Sequence, residues 1–290
     1  MLSVLIPTLN EARNIAECLD SVAWADEVVV VDSGSRDGTI EAAQCRGATV
    51  VEFKWNGGFP KKKNWALENV SWKNEWVLIL DADERITPEL ASEIQQALKY
   101  PLSDGFFVNR RFMFLGRWIK HCGYYPSWNL RLFRHELGRF ERLHSGDTGS
   151  GDNEVHEHVV LSGTTGRLKN EMLHFAYPDI FNWIEKHNRY SNWEAVVEAE
   201  TRQRVDHREQ GKDKRQQRTG GIGEHLEKRR RLRRWSRLLP FRPTLRFLYS
   251  FVLKRGFLDG YEGYMFCRLL ASYEMMNVFK ARELRRRRTN

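Results

Sequence analysis

The chain has 290 residues, enough for one large domain or two smaller ones. Hydrophobic residues make up 41% of it, which excludes wholesale disorder, and a formal net charge of +9 predicts attraction to anions such as nucleic acid, anionic lipid or phosphorylated substrates. The four cysteines form no CxxC pair, so a disulfide framework or zinc knuckle is not expected, and they read as small buried or neutral thiols in a reducing, cytosolic compartment.

The first hundred residues alternate strand and helix patterns. Residues 3–6 read as a buried strand. Residues 10–22 read as a helix, with Ile15, Ala16, Leu19 and Val22 at helical spacing. Residues 27–31 are a β-branched run suited to a strand buried on both faces. The turn DSGSRDGT leads to a helix over 39–46, with Gly47 as its stop, and a third strand over 49–53. Residues 62–70 read as a helix and 76–80 as a fourth strand. A helix over 88–98 follows, with Thr87 as N-cap and Pro88 at its first position. Strands separated by helices predict a doubly wound, mostly parallel α/β sheet.

Beyond Pro101 the pattern changes. Strands are expected at 105–108, 129–133 and 155–161, a Gly/Asp-rich loop at 141–154, and an amphipathic helix at 182–200. The aromatic and basic stretch 110–128 reads as a pocket wall, in which Trp118, Tyr124, Tyr125 and Trp128 either stack on sugar faces or pack as core. Three parts are expected: a catalytic domain over 1–200, a charged linker or arm over 201–227, and a basic-aromatic helical extension over 228–290. The start of the sequence does not read as a secretory leader, so none is expected, and no apolar run reaches the ~18 residues of a membrane-spanning helix.

Ligands of a parallel sheet bind beyond the carboxyl ends of its strands. Here those ends carry PTLNE, Asp32, the basic helix start KKKN and the carboxylates of DAD, Asp81 and Asp83. Paired carboxylates at a strand end suit Mg²⁺ or Mn²⁺ together with phosphate oxygens. Asp32 either reads a base or ribose, or closes an Asx-turn on its own backbone. His156 and His158 of VHEH lack the third ligand that zinc requires.

VLIPTLNEARNIAECLDSV, VVVVDSGSRDGT and LILDADE, in that order and spacing, resemble the family 2 glycosyltransferases of the GT-A fold over residues 1 to about 100. GGFPKKKNWAL, RLFR and VHE resemble a bacterial subgroup that builds lipopolysaccharide core, including β-1,4-glucosyltransferases. The resemblance implies inverting transfer of a hexose from a nucleotide-diphosphate sugar, by preference a UDP-sugar, to a lipopolysaccharide or other lipid-linked acceptor. It places Pro7, Thr8, Asn10 and Glu11 in the nucleotide pocket, Asp32 on the base, and Lys63 and Asn64 beside the donor. It puts Asp81 on ribose or metal-bound water, Asp83 on the metal, and Glu157 as the base. Arg131 faces the diphosphate or is a salt-bridged arginine. Lys62 stands where the subgroup often has Gln, and the loop between Phe140 and Val155 looks longer than usual.

The basic runs at 228–235 and 285–288 flank an aromatic segment, which suits peripheral attachment to an anionic membrane at the inner face of the cytoplasmic membrane. The alternatives are a nucleotidyltransferase, though PTLNEARN lacks the Gly-rich basic loop, and a basic nucleic-acid-binding protein. No RNP, zinc-finger or helix-turn-helix signature is present, so nucleic acid is not an expected partner.

Overall fold

The computed structural model describes residues 1–141, 158–177, 179–208 and 241–289. It divides into two compact units, Met1–Trp118 with Tyr124–Ala176, and Ile119–Gly123 with Tyr177–Asn290.

The first unit is built on a mixed sheet. Its strands are β1 (Leu2–Thr8), β2 (Glu27–Asp32), β3 (Thr49–Glu52), β4 (Trp76–Ile79), β5 (Glu84–Ile86), β6 (Gly105–Phe114), β7 (Arg117–Trp118), β8 (Trp128–Arg134) and β11 (Thr165–Tyr177). Two short strands, β9 (Gly138–Phe140) and β10 (Val159–Leu161), pair separately. The strand order is β3-β2-β1-β4-β8-β6-β11-β5, with β7 beside β6. The β3-β2-β1-β4 half is parallel, as the alternating pattern predicts. The sheet continues through antiparallel β8 and β6, and β11 pairs antiparallel with β5. This is the expected α/β architecture of the GT-A type.

Helices α1 (Ile15–Asp20), α2 (Thr39–Cys45), α3 (Lys62–Asn69) and α4 (Pro88–Lys99) cover the sheet. Successive strand residues point to opposite faces, so each face has its own core. Val4, Ile6, Val30 and Leu78 pack with Ile15, Cys18 and Leu19 of α1 and Leu90 and Ile94 of α4. Leu5, Val29, Val31, Val77 and Ile79 pack with Ala66 and Leu67 of α3. Thr87 caps α4 as expected, its Oγ1 accepting from Leu90 N at 3.2 Å. Helix α2 stops at Gly47, whose φ of +76° turns the chain so that the Ala48 N–H reaches Ala43 O at 3.2 Å.

The second unit holds α5 (Ile180–Arg208), α6 (Arg242–Leu248), a π-helical turn (Tyr249–Leu253), a 3₁₀ turn (Gly256–Asp259) and α7 (Gly260–Thr289). Lys280 Nζ fastens α7 to α5 through Asn188 O at 2.9 Å, Asn188 Oδ1 at 2.5 Å, Ser191 Oγ at 2.7 Å and Asn192 Oδ1 at 2.6 Å. Phe266, Cys267, Leu270, Asn277 and Ala281 form the buried face of α7. The basic run at 228–235 and most of the expected arm at 201–227 lie outside the described residues.

Candidate active site

The chain runs from β1 outward to β2 and β3, then returns to place β4 on the other side of β1. The carboxyl ends of β1 and β4 therefore face a topological switch point, where an open α/β sheet leaves a crevice. The loops after β1 and β2 are stitched together above it. Asn10, at φ +55°, gives its N–H to Ser35 Oγ at 2.7 Å and accepts from Arg36 N at 3.0 Å. Glu11 N bonds Thr39 Oγ1 at 2.8 Å, and Ala12 N bonds Asp37 Oδ2 at 3.0 Å.

Asp32 closes β2 and is buried beneath this rim. Its Oδ1 accepts from Gly34 N at 2.8 Å and Ser35 N at 2.7 Å, the Asx-turn alternative. Its Oδ2 accepts from Thr8 Oγ1 at 2.8 Å and Ser35 Oγ at 2.5 Å. Pro7 lies in the β1 ladder opposite Val31. Lys62 is buried with its Nζ on Thr8 O at 2.8 Å, so the extra basic residue noted in the sequence supports the end of β1.

The centre of the crevice is an ion cluster. Asp81 Oδ1 accepts from Lys63 Nζ at 2.7 Å and its Oδ2 from Arg131 Nη2 at 2.7 Å. Arg131 Nη2 also reaches Glu84 Oε1 at 2.7 Å, where Arg110 Nη1 joins at 3.3 Å. Glu84 is wholly buried and its Oε2 accepts from Asp81 N at 3.0 Å. Desolvation opposes charge on Asp81, but Arg131 and then Lys63 outweigh it and hold the carboxyl well below the usual carboxylate range. Burial likewise works against the Arg131 cation, and Asp81 and Glu84 more than compensate. Arg131 Nε, though buried, has no hydrogen-bond partner among the described residues.

Asp83 points elsewhere in the same mouth. Its Oδ1 lies 3.6 Å from His174 Nε2 on β11, with both side chains largely buried. No group of three or more His, Cys, Asp or Glu gathers as a metal cage among the described residues. One carboxylate and one imidazole nitrogen nevertheless make a donor pair that suits a divalent cation whose remaining ligands are phosphate oxygens and water.

Asn64 turns away from the crevice. Its Nδ2 donates to Phe140 O at 2.9 Å and its Oδ1 accepts from Phe140 N at 2.8 Å, pinning β9 to α3. Glu141 N then bonds His158 O at 3.0 Å, and His158 N bonds Glu141 Oε1 at 3.1 Å. Glu157, His156 and most of the Gly/Asp-rich loop lie outside the described residues. The aromatics of 110–128 are held by neighbours. Trp118 meets Tyr125 edge-on at 5.2 Å, Tyr124 lies 5.3 Å from Phe112, and Tyr125 OH bonds Glu171 Oε1 at 2.5 Å. Arg134 is a framework residue, paired with Glu75 and Asp104. A cavity of about 330 Å³ lined by Asp20, Asp26, Glu27, Arg46 and Lys73 opens at the amino end of β2, away from this chemistry.

Residues 3–153 match the family described as Glycosyl transferase family 2. The chain belongs to that family. This family 2 enzyme is 32% identical over 216 residues to the lipopolysaccharide core biosynthesis glycosyltransferase LpsC of Rhizobium meliloti (strain 1021), covering 70% of this chain and 73% of that protein. An uncharacterized glycosyltransferase of Rickettsia bellii (strain RML369-C) is 27% identical over 288 residues, with 98% and 86% covered. Among solved structures, S. aureus TarS 1-349 overlaps 66% of this chain and 64% of its own at 19% identity and a TM-score of 0.40. Glucosyl-3-phosphoglycerate synthase from Mycobacterium tuberculosis, solved with Mn²⁺ and UDP, overlaps 47% of this chain and 57% of its own at 23% identity and a TM-score of 0.36. The protein is a glycosyltransferase, and a nucleotide-sugar donor fits its family. Sugar transfer thus displaces the nucleotidyltransferase alternative.

Glu84 and His174 carry no weight in the sequence reading, and Arg110 enters it only as the start of the 110–128 stretch. Glu84 closes the DADE string, so its place beside Asp81 was within reach. Arg110 and His174 join the site only through long-range strand pairing, for which the local sequence holds no signal.

Proposed function

We propose that this enzyme transfers a hexose, with inversion and a divalent metal, from a UDP-sugar to a lipopolysaccharide-core or other lipid-linked glycan. The acceptor class is supported by the relative named for lipopolysaccharide core biosynthesis. The observation that carries the donor reading is the Lys63–Asp81–Arg131 cluster at the switch point. It presents two cations, one with an N–H that has no partner among the described residues, where a diphosphate enters.

Pro7, Thr8, Asn10 and Glu11 wall the nucleoside. The base imide takes the Asp32 Oδ2 position now served by the Ser35 hydroxyl, an exchange that leaves the Asx-turn intact. Lys63 and Arg131 turn from Asp81 to the phosphate oxygens. Asp83, with His174, would hold Mg²⁺ or Mn²⁺, a carboxylate and an imidazole nitrogen 3.6 Å apart in the same mouth. When bound, that ion offsets charge growing on the departing diphosphate. Asp81 then faces the ribose and the water around the ion. Glu157 takes the proton of the acceptor hydroxyl as general base, and Asn64 fixes β9, which precedes it in the chain.

The acceptor is met at an anionic membrane. Phe241, Leu248, Val252, Leu253, Phe257 and Tyr261 are exposed over one short stretch that also holds Arg242, Arg246, Lys254 and Arg255. Apolar side chains beside cations suit the interface of anionic lipids. No helix among the described residues is long and apolar enough to cross a membrane, which leaves this stretch for peripheral attachment at the inner face of the cytoplasmic membrane.

The test is a transfer assay with UDP-hexoses, truncated lipopolysaccharide acceptors and Mn²⁺, with product anomers read by NMR. The proposal expects inverted product that disappears with chelator and in Asp83→Ala. Transfer indifferent to both would remove the metal from the account. Retained anomeric configuration would remove Glu157 as the base.

A further inference from the structure

Two of the four cysteines, 145 positions apart, meet inside the second unit. Cys122 Sγ and Cys267 Sγ are 3.4 Å apart and both residues are fully buried. That is sulfur contact, about 1.4 Å longer than a disulfide bond. Buried cysteines ordinarily serve as small apolar side chains, but several features here hold two thiols against each other.

Cys122 sits on the short segment Ile119–Gly123, in a left-handed conformation at φ +60°. A side chain adopts that region only when its surroundings fix it. Asp259 supplies the fixation: its Oδ2 accepts from His121 N and its Oδ1 meets His121 Nδ1, each at 2.7 Å. Cys122 N bonds Lys254 O at 3.2 Å. Gly256 clears the space, since a Cβ there would lie 2.8 Å from both sulfurs. Cys267 Sγ donates to Cys122 Sγ, and Cys122 Sγ in turn donates to Asp259 Oδ2 at 3.6 Å and Gly263 O at 3.9 Å. Contact with Cys267 and burial push the Cys122 thiol up.

We propose that Cys122 and Cys267 are a cross-linkable dithiol that closes to a disulfide under peroxide, fastening segment Ile119–Gly123 to helix α7. One of the two thiols reacts with peroxide: RSH and H₂O₂ give RSOH and water. The other, 3.4 Å away, then displaces the hydroxyl: R′SH and RSOH give RSSR′ and water. Two thiols lose two electrons and two protons, and peroxide is reduced to two waters. Peroxide is the oxidant because it is small enough to reach buried sulfur, whereas bulky disulfide reagents wait on local opening. In a reducing compartment the dithiol is the resting form and the disulfide is transient. The cross-link closes a long stretch of chain, so the oxidised protein unfolds at a higher temperature.

The experiment uses the full chain carrying Cys45→Ser, which removes the exposed thiol. The protein is freed of reductant, treated with peroxide, quenched and digested. The expected result is a dithiothreitol-reversible peptide joining Cys122 to Cys267, an intact mass lower by two hydrogens, and a raised unfolding temperature. Cys267→Ser removes all three. The unsubstituted chain, in which peroxide visibly oxidises Cys45, serves as the reactivity control. Two results would overturn the proposal. One is that Cys122 and Cys267 stay free thiols, or go to separate sulfinic acids, at peroxide levels that oxidise Cys45. The other is release of stoichiometric zinc on thiol modification of the purified protein, which would make the pair metal ligands.

Discussion

Replacing Arg131 with methionine removes the cation shared by Asp81 and Glu84 while keeping much of the side chain's length. Both ion pairs are 2.7 Å long, the Arg131 side chain is 7% exposed and that of Glu84 is 0% exposed. Breaking a buried pair from one side costs about 3–5 kcal/mol. Lys63 still serves Asp81 and Arg110 still reaches Glu84, so the lower end applies, about 3 kcal/mol. At about 2–4 °C per kcal/mol that lowers the unfolding temperature by about 6–12 °C. The loss is pH-dependent in a defined direction. Asp81 titrates below its unfolded value, so its contribution is complete above about pH 4 and is lost as pH falls through the folded value. The gap between wild type and Arg131→Met therefore narrows in acid. Urea unfolding from pH 7 to pH 3 measures it, with Arg131→Lys as a comparison that retains charge but not the fork. An Arg131→Met protein within about 1 kcal/mol of wild type at pH 7 would refute the reasoning.

The other predictions concern Glu157, Asn64 and the exposed apolar side chains of residues 241–261. Glu157→Gln abolishes transfer and leaves nucleotide binding at the wild-type level, as read by transfer kinetics alongside calorimetric titration; retained turnover rejects Glu157 as the base. Asn64→Ala strands the buried N–H and C=O of Phe140 and costs about 1–3 kcal/mol in urea unfolding; a neutral effect would mean that β9 is held by other contacts. Leu253→Glu with Tyr261→Glu places two carboxylates on side chains that are 71% and 70% exposed, and abolishes flotation with anionic vesicles while leaving circular dichroism unchanged. Undiminished flotation would assign membrane contact elsewhere.

The parallel half of the sheet was readable because each strand is a short apolar run bounded by turn residues. The valines of β2 and the Thr87–Pro88 helix start are local signals, and local signals decided those elements. The expected helix over 10–22 is shorter because Asn10 and Glu11 give their N–H groups to the β2–α2 loop, a contact between segments 25 and 28 residues apart. Strand β6 runs to Phe114, through Arg110 and Arg111, because distant Glu84 and Glu171 neutralise those arginines. Strand β11 escaped notice altogether. Its charged and apolar residues do not alternate cleanly, and its buried Glu171 is made tolerable by Asn109, Tyr125 and Arg111 from elsewhere in the chain. The same reason hid His174. At the site, DAD and KKKN supply Asp81 and Lys63, which the structure pairs at 2.7 Å, and Asn64, expected beside the donor, has its amide on the Phe140 backbone.

The central claim is that the crevice after β1 and β4 binds a nucleoside diphosphate together with a divalent ion. The thermal unfolding of the purified protein with UDP, GDP and ADP, with and without Mn²⁺, in wild type and Asp83→Ala, tests it most directly. Ligand at about 100 times its dissociation constant adds roughly 2.7 kcal/mol if it binds only the folded state. The account predicts a Mn²⁺-dependent rise with UDP, absent from Asp83→Ala. No rise with any nucleotide in a folded wild-type sample, or an equal rise in Asp83→Ala, would contradict it.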